Sequence, residues 1–230
     1  MLHAGDLINS GNRDAEWGEW FGAGAWLNAM VPSMATPGNH EYPRDSKKKI
    51  ARRALSHHWR PQFNLPDNGP EGLDETVYCL DYQGVRLISL NSNETLAKQT
   101  DWLEGFLKDN PNKWTVMTFH HPVYSTARGR DNPHLRQSWK PLFDKYKVDL
   151  VLTGHDHSYA RFKQNGTENV PSGASARSPE GGTIYVVSVS GPKQYKIDRR
   201  PEMARAAEDT QLYQIISVDG DSLAYEARTA

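Results

Sequence analysis

Apolar positions along the chain fall into short runs and helical stripes that alternate with polar turns. Trp17, Trp20, Phe21 and Trp26 recur at helix-like spacing and predict a helix over residues 14–30, with Asp14 capping its start. The apolar run 31–35 closes on Thr36-Pro37-Gly38-Asn39, a strand ending in a turn. Residues 47–59 are basic and predict a helix, whereas 64–74, with Pro66, Gly69, Pro70 and Gly72, predict a loop. Runs over 77–82 and 85–91 flank Gln83-Gly84 and read as a hairpin. Trp102, Leu103, Phe106 and Leu107 share one face of a helix over 96–107, which Asn110-Pro111 ends. Residues 114–119 form a strand, and Leu135, Trp139, Leu142 and Phe143 lie in register on a helix over 135–146. The continuous apolar run 148–153 suits a strand buried on both faces. Residues 164–182 are poor in apolar side chains and predict a long rim loop. Strands over 184–189, 212–218 and 223–228 complete the set. Helices alternating with strands early, and hairpins late, predict an α/β fold with mixed sheets.

Composition narrows the classes. A chain of 230 residues with 37% hydrophobic residues can bury one core, so a single domain over 1–230 is expected. Lys and Arg number 27 against 28 Asp and Glu, a net charge of −1, which argues against a nucleic-acid partner held by bulk charge. No apolar run is long enough to span a membrane. Residues 1–6 carry no signal-peptide pattern. The single cysteine, Cys79, excludes an internal disulfide and any thiolate metal cluster, and it reads as a buried small hydrophobe. Nine histidines remain to be explained.

Four polar clusters sit where predicted strands stop: Gly5-Asp6, Gly38-Asn39-His40-Glu41, His120-His121-Pro122 and Gly154-His155-Asp156-His157. Each alone is an ordinary turn signal. Together they are not, because loops after the carboxyl ends of α/β strands share one edge of the sheet and line the site there. Asp6, Asn39, His120, His155 and His157 then supply oxygen and imidazole donors suited to Zn, Fe, Mn or Ni, with no soft thiolate to favour copper(I).

This motif set resembles the calcineurin-like metallophosphoesterase superfamily. The flanking text His120-His121-Pro122-Val123-Tyr124-Ser125, Lys147 to Gly154 and His157-Ser158-Tyr159-Ala160-Arg161 is closest to its purple acid phosphatase branch. The resemblance implies a four-layer α/β/β/α sandwich of two mixed sheets and a dinuclear site. Asp6 would bridge two divalent or trivalent ions, Asn39, His120 and His155 would complete one, and His157 would bind the other. His40 would meet the phosphate and serve the leaving oxygen, with His134 as a second phosphate contact. The implied reaction is hydrolysis of a small phosphate monoester by a metal-bound hydroxide. A phosphodiesterase or nucleotidase on the same site is the close rival, and a catalytically impaired binding or scaffold protein is the rival from another class.

Two departures qualify the resemblance. Purple members place a Tyr where this chain has Asn9, so a colourless protein is expected. The family's first ligand, an Asp on a preceding strand, has no counterpart upstream of Asp6, so an N-terminally truncated domain lacking that strand is expected, with the ion held by His157 and Asp6 under-liganded. His3 lies an odd offset from Asp6 and is expected to point away from it. Relatives of this type are often secreted or periplasmic, but the sequence assigns neither localisation nor oligomeric state. His57, His58 and the basic run Lys47-Lys48-Lys49 with Arg52-Arg53 are expected on a solvated face. The seven Trp residues are expected to be mostly core, with Trp17 or Trp59 a candidate pocket wall.

Overall fold

The computed structural model describes residues 1–43, 53–162 and 182–229. Of the helix expected over 47–59, residues 47–52 lie outside the described residues, as does nearly all of the loop expected over 164–182; residues 53–58 are not helical, and a helix begins only at Trp59.

A seven-stranded mixed sheet organises the molecule, in the order β3-β4-β5-β6-β8-β7-β9. Strands β4 (Val85–Ser89), β5 (Trp114–Thr118), β6 (Leu150–Thr153) and β8 (Ile184–Val187) run parallel. β3 (Tyr78–Tyr82) joins β4 through Gln83 and Gly84, both at positive φ (48° and 79°), the twist that a two-residue hairpin needs. β7 (Tyr159–Phe162) and β9 (Met203–Ala207) close the other side antiparallel.

Period-two alternation separates the two faces of this sheet. The row Ile88, Met117, Val151, Tyr185 faces one core, packed by Leu103 and Leu107 of α4 (Leu96–Lys108), Leu135 of α5 (Pro133–Ser138), and Leu142 and Phe143 of α6 (Lys140–Lys145). The opposite row, with Val116, Leu150 and Val186, packs on the hairpin β10 (Leu212–Asp219) and β11 (Ser222–Thr229). Beside that hairpin lies the parallel pair β1 (Leu2–His3) and β2 (Met34–Ala35). Trp17, Trp20 and Phe21 of α1 (Asp14–Ala23) cover Met34 and Ala35. Helices, large sheet, strand pairs and helix thus form the α/β layering, with the second β layer present as two pairs among the described residues.

Several boundaries differ from the sequence pattern, each for a local reason. The helix expected over 14–30 breaks at Gly24 into α1 and α2 (Ala25–Met30). Asp14 is not its cap: Arg13 holds that position, and the Glu16 carboxylate reaches back to the Ser10 N–H (2.7 Å). The helix expected over 135–146 divides at Trp139, because Pro141 has no N–H for the Gln137 carbonyl and its ring crowds that turn. Trp17 and Trp59 are core, not pocket wall: both are buried, and their indole N–H groups donate to Gly11 O and Glu75 O. Trp59 opens a short helix, α3 (Trp59–Gln62). No described helix is long and apolar enough to cross a membrane.

Candidate metal centre

The loops that follow β1, β2, β5 and β6 meet at one edge, and His120 stands at their centre. Its ring is fully buried. Nδ1 donates to the Ala4 carbonyl (2.9 Å), which fixes the ring orientation and aims Nε2 at three atoms. Asp6 Oδ2, Asn39 Oδ1 and His155 Nδ1 each lie 3.1 Å from Nε2. Two of these three are oxygens that only accept hydrogen bonds, so no single proton on Nε2 can satisfy them all. One cation can. An imidazole whose far nitrogen donates to a backbone carbonyl is also the usual arrangement of a metal-ligating His. The residues present therefore fit the metal that the donor chemistry implies.

The backbone is bent to bring these side chains together. Asp6 and His155 adopt left-handed φ values of 55° and 66°, costly for side-chain-bearing residues and typical of functional sites. Gly5 and Gly38 leave the space: a Cβ on Gly38 would stand 2.2 Å from Asp6 Oδ1, and one on Gly5 would stand 2.8 Å from His120 Nδ1.

Protonation suits cation binding at Asp6 and His155, whereas His120 is shifted toward its charged form. Burial alone would raise the Asp6 pKa, but the hydrogen bond and charge of His120 and the His40 N–H hold it at about 2. Burial opposes charge on His120, and Asp6 outweighs it, so the His120 pKa is raised. Burial, aided by the charge of His120, pushes His155 down to about 4, which leaves its ring neutral near pH 7.

The other expected residues divide into neighbours and outliers. His40 belongs to the site. Its Nδ1 donates to Asn9 O (2.5 Å), its N–H donates to Asp6 Oδ1 (2.8 Å), and its Nε2 lies 3.8 Å from Asp6 Oδ2, half-exposed. His157 sits beside the cluster rather than in it. Nδ1 faces the Lys193 carbonyl (3.1 Å) and the ring packs on Tyr195 (4.6 Å), so Nε2 is the nitrogen left with a lone pair. Burial lowers its pKa. His134 stands exposed in the first turn of α5, close enough for its charge to act on His121 but apart from the hydrogen-bonded cluster. His3 packs edge-on against Trp20 (5.2 Å), away from Asp6, as its offset predicts.

Four residues that the sequence reading left without a role matter here. Glu41 is a fully buried carboxylate that accepts the N–H groups of Asp6 (2.9 Å), Leu7 (2.8 Å) and Gly38 (2.6 Å), binding the two ligand loops together. Burial, with the Asp6 charge, raises its pKa. Asp156 does the same for the loop after β5, accepting from Thr126 N (2.7 Å) and Ala127 N (3.1 Å). His121 brings a ring nitrogen within 4.8 Å of those of His120 and His155, while its Nδ1 pairs with Ser92 Oγ (2.8 Å). Burial pushes its pKa down to about 2. Arg53, expected on a solvated face, donates to Asn39 O (3.0 Å). Only the position of Glu41 and Asp156 inside the ligand motifs hinted at these roles.

Known proteins resemble this chain in sequence and in fold. Residues 1–159 match the family model described as calcineurin-like phosphoesterase. Tartrate-resistant acid phosphatase type 5 of Oryctolagus cuniculus is 29% identical over 165 residues, covering 63% of this chain and 49% of that protein. Purple acid phosphatase 21 of Arabidopsis thaliana is 27% identical over 172 residues, covering 71% of this chain and 38% of that protein. The chain thus spans less than half the length of these relatives. Among solved structures, a purple acid phosphatase from yellow lupin (Lupinus luteus) seeds superposes over 99% of this chain and 43% of its own, with a TM-score of 0.76 at 21% identity.

Proposed function

Because the chain belongs to the calcineurin-like phosphoesterase family, we propose that it hydrolyses phosphate monoesters in a metal-dependent reaction at the edge built around His120. The observation that carries this reading is the approach of three lone-pair atoms, on Asp6, Asn39 and His155, to one ring nitrogen, His120 Nε2. Two ions are proposed, with Asp6, Asn39, His120 and His155 holding one and Asp6 with His157 Nε2 holding the other. Bound metal of this kind supplies Lewis acidity to the phosphoryl oxygens and activates the attacking water.

The chain's own residues do the remaining work. Asp6 stays ionised and His155 neutral near pH 7, so both present lone pairs without first losing a proton. The Asn9 carbonyl holds the proton of His40 on Nδ1, which turns Nε2 toward the site. From there His40 contacts a phosphoryl oxygen and, once protonated at Nε2, delivers that proton to the departing alkoxide. His134, exposed in the first turn of α5, is proposed as an outer contact for substrate.

Metal analysis combined with hydrolysis of p-nitrophenyl phosphate and bis-p-nitrophenyl phosphate tests the reading. Monoester turnover that is lost in His155→Ala and Asn39→Ala supports it. Faster turnover of the diester would move the assignment to a phosphodiesterase, and absence of turnover with metal bound would overturn both.

A further inference from the structure

Residues 193–195 reach His157 from a distant part of the chain and grip it at three points. The Lys193 carbonyl faces ring Nδ1 (3.1 Å), the Tyr195 N–H donates to the His157 carbonyl (2.7 Å), and the Tyr195 ring lies against the imidazole at 4.6 Å, tilted by 34°. A carbonyl only accepts, so the first contact puts the imidazole proton on Nδ1 and leaves the lone pair on Nε2. The flat Tyr195 ring then sets the plane in which that lone pair points. The gripping residues are themselves held. Gln194 Nε2 donates to Gly191 O (3.2 Å) and Thr210 O (3.3 Å). Arg128 N–H to Lys196 O (3.3 Å), Asp198 N–H to Thr126 O (2.9 Å) and the Ala127–Ile197 bridge join the segment to the loop after β5. The Arg130 guanidinium stands over the Tyr195 ring at 4.9 Å, and its Nη1 reaches the buried Asp156 carboxylate (3.3 Å) and the His155 carbonyl (3.5 Å). Asp156 thus aims Arg130, Arg130 seats Tyr195, and Tyr195 packs on His157, a circuit that begins and ends within one ligand motif.

From this geometry we infer that Tyr195 is a positioning residue for His157: with the Lys193 carbonyl it selects the tautomer and ring orientation in which Nε2 can hold an ion, and so sets the occupancy of the second of the two proposed ions. The inference rests on the two-ion reading above. His120 needs no such brace, because its ring is fully buried and Ala4 O fixes its tautomer. His157 is only half-buried, and an imidazole in that setting has several rotamers and both tautomers open to it. The second ion also depends on His157 more than the first depends on any one of its four ligands, since Asp6 is shared between the two. Groups that orient a ligating imidazole change metal affinity by about 10–100-fold. The Tyr195 hydroxyl has no part in this brace, so a phenyl ring should serve as well.

Two measurements that need no turnover test this. Long-range proton–nitrogen NMR of the metal-free protein at about pH 8, where imidazole is neutral, reads the tautomer of His157, assigned by its disappearance in His157→Gln. The wild type and Tyr195→Phe should carry the proton on Nδ1 alone. Tyr195→Leu, which keeps apolar bulk at a half-buried position but has no flat ring, should show the two tautomers averaged. Calorimetric titration with Zn²⁺ reads occupancy. The wild type and Tyr195→Phe should bind two ions, and Tyr195→Leu should bind the second about 10–100-fold more weakly with the first unchanged. Two ions bound with equal affinities in the wild type and Tyr195→Leu would overturn the positioning role and leave the two-ion reading standing. Equal weakening of both ions in Tyr195→Leu would also overturn it, as general damage to the site. A single ion in the wild type, unaffected by His157→Gln, would overturn the two-ion reading and this role together.

Discussion

Single residues in this site divide between those that face the reaction and those that hold the facing residues in place. Glu41 is of the second kind. Three backbone N–H groups converge on its buried carboxylate, and an amide at that position would turn an NH2 group toward donors. Glu41→Gln is therefore expected to cost roughly 1–3 kcal/mol, read as a lower urea midpoint, and to weaken metal binding through Asp6; an unchanged midpoint would refute the clamp. Asn9 makes a different point. It stands where purple relatives carry a Tyr and offers an iron no phenolate, so the metal-loaded protein is expected to be colourless. An intense visible absorption band with iron bound would contradict this.

At the scale of elements, β1 shows how a short strand carries both site and stability. Asp6 leaves its end toward His120, and His3 packs part-buried against Trp20 on the other side. Burial, with the nearby chain amino group, pushes His3 down to about 4. Its folded pKa lies below the unfolded value, so the unfolded chain takes up a proton that the native state refuses as pH falls. Stability should thus be intact above about pH 6.5 and decline toward pH 4 by up to about 3 kcal/mol. Urea midpoints across that range should flatten in His3→Leu; equal pH dependence in both proteins would rule this source out. The same elements show what a sequence reveals. Apolar runs at β4, β5, β6 and the face of α4 were legible because burial on a sheet or helix face imposes a period. So were Asp6, Asn39, His120 and His155, since each ends such a run. β7 is too short to display a period, and β9, Met-Ala-Arg-Ala-Ala, has little β propensity and is strand because β7 pairs with it. Glu41 and Asp156 were in view as letters, but their work is to accept backbone N–H groups from loops distant in sequence, which leaves no periodic trace.

The whole molecule places the candidate metal centre at a seam. His120 and His155 follow strands of the seven-stranded sheet, whereas Asp6 and Asn39 follow the separate parallel pair β1–β2. Within the site these two layers meet through acceptors crowded around one ring nitrogen, an arrangement that gains from a cation and resists its removal. Metal bound there and not to the unfolded chain should stabilise the native state by about 2.7 kcal/mol at one hundred times its Kd, a rise in Tm of roughly 5–10 °C for a chain of this size. Chelation should reverse it. Because Asn39 contributes from one layer and His155 from the other, Asn39→Ala and His155→Ala should each abolish most of the metal-dependent rise, measured by calorimetry with and without added ion. A ligand that served only its own loop would instead leave the rise intact in one of the two variants. Such a result would mean that the ion binds within one layer, and the cross-layer centre would have to be abandoned.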